Sequence, residues 1–211
     1  HGNVYLGQCP WGYYDPVMTV VSLRGQDGII AHMIHYGAHA TAAGINDAVT
    51  RDWPGPMIDR LEKEAGGLAC FLNGAIGDVG PRLPNGGTIA DLPAALALGE
   101  RAGFDAVRAF RTIKDWREGE TLKTVTGPIA LPTAPLPPLK EVQERLRAMD
   151  PGRLEGLDGL AHARLRNILA EYEKGDPGQP PLAYEQTLVQ LGPVAFVPFP
   201  FEMFVEMTLR L

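Results

Sequence analysis

The run Gly28-Ile29-Ile30-Ala31-His32-Met33-Ile34 is apolar almost throughout and carries β-branched residues. It reads as a buried strand. The stretch after it is just as constraining. Ile34-His35-Tyr36-Gly37-Ala38-His39-Ala40-Thr41 leads into a loop carrying Asn46, Asp52, Pro54 and Gly55. The end of a strand is where an open α/β sheet presents its chemistry. Three of the five histidines, His32, His35 and His39, crowd into this stretch.

Around that run the chain punctuates itself. Residues 1–16, rich in Gly, Tyr and Pro, read as loop. Strands are predicted over 17–23 and 28–35, joined by a turn whose Asp27-Gly28 pair is a hairpin signal. A helix is predicted over about 56–66, with Pro56 in its first turn, Ile58, Leu61 and Ala65 on one face, and Gly66-Gly67 at its end. A short strand, 68–72, leads into the glycine-dense loop Asn73–Pro81. A long helix is expected over 89–113, where Gly99 and Gly103 allow close packing. Thr121–Leu131 reads as a strand and gives way to a proline-rich connector. Helices are then expected at about 138–149 and 155–174. This pair is more polar, and 138–175 has the character of a helical insertion. Gly175–Pro181 is a loop. Strands at 182–191 and 193–198 bring the chain to Pro198-Phe199-Pro200-Phe201-Glu202, where a last helix is expected to begin. The fold class is α/β, a mixed β-sheet flanked by helices, as part of a larger domain.

Composition excludes several classes of function. Of the 211 residues 45% are hydrophobic and 21% charged, so a core can form. The net charge of −6 and the lack of a basic run argue against a nucleic-acid surface. No apolar run reaches transmembrane length, and residues 1–16 do not read as a leader. The only serine is Ser22, inside a strand, so no Gly-x-Ser-x-Gly elbow exists. Two cysteines, Cys9 and Cys70, make no disulfide framework. Cys70 lies in an apolar run and reads as a buried, inert thiol. The chain starts at His1 without a methionine and ends at Leu211 within an expected helix, as a piece of a longer protein would.

Candidate residues each have a plain structural reading beside the functional one. His32 and His35 differ by three positions on a strand, so they face opposite sides and suit structural roles better than a shared metal. His39 lies beyond the strand, beside Gly37 and small residues that leave room for a ligand. Glu202, expected in the first turn of a helix, is favoured there by the helix dipole alone. Asp78 among its glycines is a turn residue or a functional one. Asn46 and Asp52 likewise are functional residues or only organise their loop.

Three stretches together resemble the neutral/alkaline ceramidase family. His39-Ala40-Thr41, then Asn46, Val49, Asp52 and Gly55, is similar to the family's His-x-Thr region with its subsequent Asn, Asp and Gly. Phe71–Pro81 looks like the signature containing Gly-Asp-Val-Ser-Pro. Val197-Pro198-Phe199-Pro200-Phe201-Glu202 is similar to the stretch in which a Pro-Gly-Glu supplies a carboxylate ligand. The three occur in family order. The resemblance implies a zinc-dependent amidohydrolase that hydrolyses an N-acyl amide such as that of ceramide to a fatty acid and an amine. It implies Zn2+ as cofactor, His39 and Glu202 as ligands, Asp78 in a catalytic role, and Asn73, Gly77 and Gly80 at the substrate. The remaining ligands, a histidine upstream and a tyrosine downstream, would come from further segments of the same polypeptide. The implied partner is a small-molecule or lipid N-acyl substrate, and secretion or a periplasmic location is implied by analogy. Gly80 stands where the family has serine, Arg82 where it has Asn, and Phe201 where it has the glycine before the carboxylate. These departures leave open a hydrolase of the same scaffold acting on another amide or ester, or a non-catalytic binding domain that kept the fold.

Overall fold

A computed structural model describes residues 9, 11–150, 152, 154, 156–175, 177–178 and 181–210. The expected loop before residue 9, the parts of the loop at 176 and 179–180, and Leu211 lie outside the described residues. The chain divides into two compact units, one formed by His1–Glu120 with Phe199–Leu211, the other by Thr121–Pro198.

The first unit is built on a mixed sheet in the order β1 (Thr19–Gly25), β2 (Gly28–Tyr36), β3 (Leu68–Asn73). β1 and β2 form an antiparallel hairpin turning at Gln26-Asp27, with Gly28 at φ 126°. That backbone angle suits glycine and not the residues around it. β2 and β3 run parallel, so the chain must cross over between them, and α1 (Pro54–Ala65) makes the crossover. α1 starts two residues before the expected Pro56, because Pro54 already occupies its first turn. It ends where Gly66 and Gly67 take positive φ. α2 (Leu92–Arg111) opens on Asp91, whose carboxylate accepts from Ala94 N at 2.9 Å.

Helices α1 and α2 pack closely because glycine permits it. A Cβ on Gly99 would collide with the Trp53 carbonyl oxygen, and one on Gly103 would run into Arg60. Ile34, Trp53, Met57, Leu61, Ala95, Ala106 and Val107 form the core between helices and sheet. Outside it, Arg60 lies over the Phe104 ring at 3.9 Å and pairs with Glu64 and Glu100.

His32 and Ile34 face that core, whereas His35 points to the other side of the strand, as the pleat requires. Cys70 corrects one expectation. It is exposed, because β3 is an edge strand and Cys70 lies on the face opposite Ala69 and Phe71, which pack on the core. Alternation within a strand identifies two faces but not which of them is covered.

The second unit holds an antiparallel sheet in the order β4 (Leu122–Leu131), β5 (Leu182–Leu191), β6 (Val194–Phe196). The expected single sheet is therefore two small ones. Buried Gln186 donates to the Pro198 carbonyl at 2.8 Å. The polar helices α3 (Leu139–Ala148) and α4 (Gly156–Glu173) belong to this unit and pack on each other through Val142, Leu165 and Ile168.

The last helix, α5, spans Val205–Leu209 and begins later than expected. Pro198 and Pro200 hold the residues before them extended, so the chain stays irregular through Phe204. Glu202 lies in an irregular strap, not in a first helical turn, and a helix dipole does not explain it. No helix among the described residues is long and apolar enough to cross a membrane.

Candidate metal centre

β2 delivers the chain to His39, and the loop beyond it is fixed by buried polar groups. Asp52, 5% exposed, takes the left-handed conformation at φ 53°. In that geometry its carboxylate accepts from Ala42 N at 3.1 Å, Ala43 N at 2.7 Å and Trp53 N at 2.7 Å. Three backbone donors that would otherwise be buried without partners are satisfied at one side chain. Asn46 organises the outer part of the loop, donating to Gly44 O and accepting from Ala48 N.

His39 itself is held by its own backbone from two directions. Its N–H donates to the Val79 carbonyl at 2.9 Å, and its carbonyl accepts from the Trp53 indole Nε1–H at 2.9 Å. Trp53 is buried, edge-on to Tyr36 and Phe71. Sequence reasoning does not find this residue. Its one local signal is its place between Asp52 and Pro54 at the mouth of α1, which gives no hint of an indole reaching back 14 residues to His39.

The Asn73–Pro81 loop runs beside His39 and reaches the Glu202 strap. Gly74 N donates to Tyr36 O, and Gly77 N donates to Met203 O at 2.8 Å. Asp78 Oδ1 accepts from Val205 N, also at 2.8 Å. A Cβ on Gly77 would lie 2.6 Å from Glu202 O, so only glycine allows the strap to come this close. Stitched this way, two residues remote in sequence converge. His39 Nε2 lies 3.5 Å from Glu202 Oε2, with the histidine side chain 27% exposed and the glutamate 62%.

Asn73 is exposed at the end of β3, opposite Tyr36. Gly80 is packed against Thr88, whose Cγ2 would be 2.6 Å from a Cβ there. His32 is away from the pair and structural, accepting at Nδ1 from Ser22 Oγ (2.8 Å) and donating from Nε2 to Gly66 O (3.1 Å). Beside Glu202 the strap and α5 form an open groove of about 350 Å3 lined by Phe201, Phe204, Met207, Glu206 and Arg210 among others.

An imidazole nitrogen and a carboxylate oxygen at this separation are donors of the kind that Zn2+ takes. They are two potential donors, and among the described residues no group of three or more His, Cys, Asp or Glu is placed to hold a metal. The pair fits zinc as part of a ligand set.

No protein-family model and no curated protein matches the sequence. Among solved structures the chain is similar to neutral ceramidase from Pseudomonas aeruginosa, with a TM-score of 0.62 and 16% identity. The match covers 93% of this chain and 36% of that one. The likeness is one of fold, and the chain spans about a third of the length of the protein it matches.

Proposed function

We propose that this chain is the His39- and Glu202-bearing part of a zinc-dependent amide hydrolase of the neutral ceramidase type, acting on an N-acyl amide such as that of ceramide. The observation that carries the reading is the 3.5 Å approach of His39 Nε2 to Glu202 Oε2. It occurs on a fold shared with neutral ceramidase and between the two residues that the sequence resemblance singles out as ligands.

His39 and Glu202 would hold the metal from this chain, with the remaining ligands supplied by other segments of a longer polypeptide. Zinc in such a site supplies an activated water and polarises the N-acyl carbonyl. The chain's own residues prepare for this in three ways. The two backbone hydrogen bonds of His39 fix the loop that carries its imidazole, which lowers the entropy lost in ordering that loop on binding. Glu202 presents a carboxylate that a ligand can reach from solvent. The groove along Phe201, Phe204 and Met207 offers apolar surface next to the pair, as an acyl chain requires. Asn73, exposed at the strand end, and the half-buried backbone of Gly77 and Gly80 are the loop's candidate substrate contacts.

The crowding at Gly80 also favours a second reading, a hydrolase of this scaffold that cleaves a different amide or ester. Thr88 fills the space where a side chain at position 80 would stand, so the pocket differs from that of a serine-bearing relative.

Metal analysis and N-acyl hydrolysis on the 211-residue chain and on the complete polypeptide test the proposal. Two ligands on separate loops bind weakly, so the chain alone is expected to bind zinc poorly and to lack amidase activity, while the complete protein has both. A panel of N-acyl lipids, simpler amides and esters separates the two readings. Tight stoichiometric zinc on the chain that survives His39→Ala would overturn the site.

A further inference from the structure

Three consecutive residues touch both ligand-bearing segments. Val79 accepts from His39 N, Gly77 donates to Met203 O, and Asp78 accepts from Val205 N. The strap around Glu202 has no regular secondary structure before α5. Its place is therefore set by tertiary bonds, and Gly77 and Asp78 supply two of them, just beyond Glu202.

We propose that Gly77-Asp78-Val79 is the positioning element of the His39–Glu202 pair, and that Asp78 acts as a hydrogen-bond acceptor for the strap, not as a proton donor or a substrate contact. The proposal rests on the functional reading above for what the pair does, but not for how it is held. A carboxylate at Asp78 is well suited to the task, because a charged acceptor strengthens the bond from a backbone N–H. The charge is not essential to it. No proton need move between Val205 N and Oδ1, so an amide oxygen in the same place would accept the same bond. Gly77 completes the element by letting the strap lie against the loop backbone, where any Cβ would meet Glu202 O and Phe204.

Asp78→Asn and Asp78→Ala separate this role from a chemical one. Hydrogen exchange at Val205 N–H in the 211-residue chain reads the bond directly. It should stay protected in the wild type and in Asp78→Asn, and become fast in Asp78→Ala. In the complete protein, Asp78→Ala should weaken zinc by about ten- to a hundredfold, the usual loss when a group orienting a ligand is removed. Asp78→Asn should stay within a few-fold of the wild type. Asn as damaging as Ala, with the Val205 amide still protected, would show that the charge or the proton matters and would overturn the proposal. So would an Asp78→Ala protein with an unchanged Val205 amide. If the wild type binds no zinc through His39 and Glu202, the functional reading fails, and the exchange measurement still decides whether Asp78 holds the strap.

Discussion

His39 and Glu202 meet at one point, but the chain holds them by different physics. The His39 loop is anchored in the hydrophobic core. Buried Trp53 grips its carbonyl, and buried Asp52 gathers three backbone donors of its loop. Glu202 sits on an exposed strap that leans on the glycine loop through hydrogen bonds at Met203 and Val205. The histidine side thus inherits the stability of the whole unit, whereas the carboxylate side depends on a few local contacts. Regions of few apolar contacts open at lower free energy than the core. Stability and site geometry should therefore be separable by mutation.

The largest effect is expected from Trp53→Ala. It removes a fully packed indole from between Tyr36 and Phe71 and leaves the His39 carbonyl without its donor. Losses of about 3–5 kcal/mol are typical of such truncations, and they are a large share of the roughly 5–15 kcal/mol of a whole domain. Denaturant unfolding checks this. A loss under about 1 kcal/mol would mean that the indole is not part of a packed core.

Gly77→Ala should do less to stability and more to geometry. The new methyl would meet the Glu202 carbonyl at 2.6 Å, and a backbone oxygen cannot swing aside like a side-chain tip. Overpacking of this sort costs about 1–3 kcal/mol. Because the strap is the looser partner, it should be the part that moves. Amide exchange over 203–209 is expected to rise while β2 keeps its protection. Equal loosening of β2 and the strap would erase the distinction between the two sides.

The difference between the two sides also explains what is legible in the sequence. Elements with local punctuation can be read directly. Asp27-Gly28 marks the hairpin, Gly66-Gly67 ends α1, and the spacing of Gly99 and Gly103 signals the close helix pair. Features decided by distant partners cannot. Nothing near Cys70 says that its face of β3 lies uncovered. Nothing near Asp78 announces Val205, 127 residues away. Strand pairing is equally non-local, so local patterns do not sort the strands of the described residues into two sheets of three. The late start of α5 is readable in principle from Pro198 and Pro200, but a carboxylate after a proline imitates a helix start. The two ligand candidates and the Gly77–Val79 stretch emerge because they resemble a known pattern, while Trp53, whose indole holds the His39 carbonyl, does not.

The smallest expected effect sharpens the comparison from the core side. His32 is fully buried, edge-on to Phe110, with Nδ1 accepting from Ser22 and Nε2–H donating to Gly66. Burial lowers its pKa below the usual 6.5, and the Gly66 bond and the nearby Glu62 charge offset this only in part. The folded chain therefore resists protonation at a pH where the unfolded chain accepts it. Above 6.5 both forms are neutral and the full stability is present. As pH falls below that value the unfolded state binds more protons, and stability is lost down to the depressed folded pKa. A proton on Nδ1 would also abolish its role as acceptor for Ser22. Unfolding free energy should thus decline as pH falls below about 6.5, more steeply in the wild type than in His32→Gln, which has no group titrating there. Identical slopes for the two proteins would show that His32 does not link the core to pH.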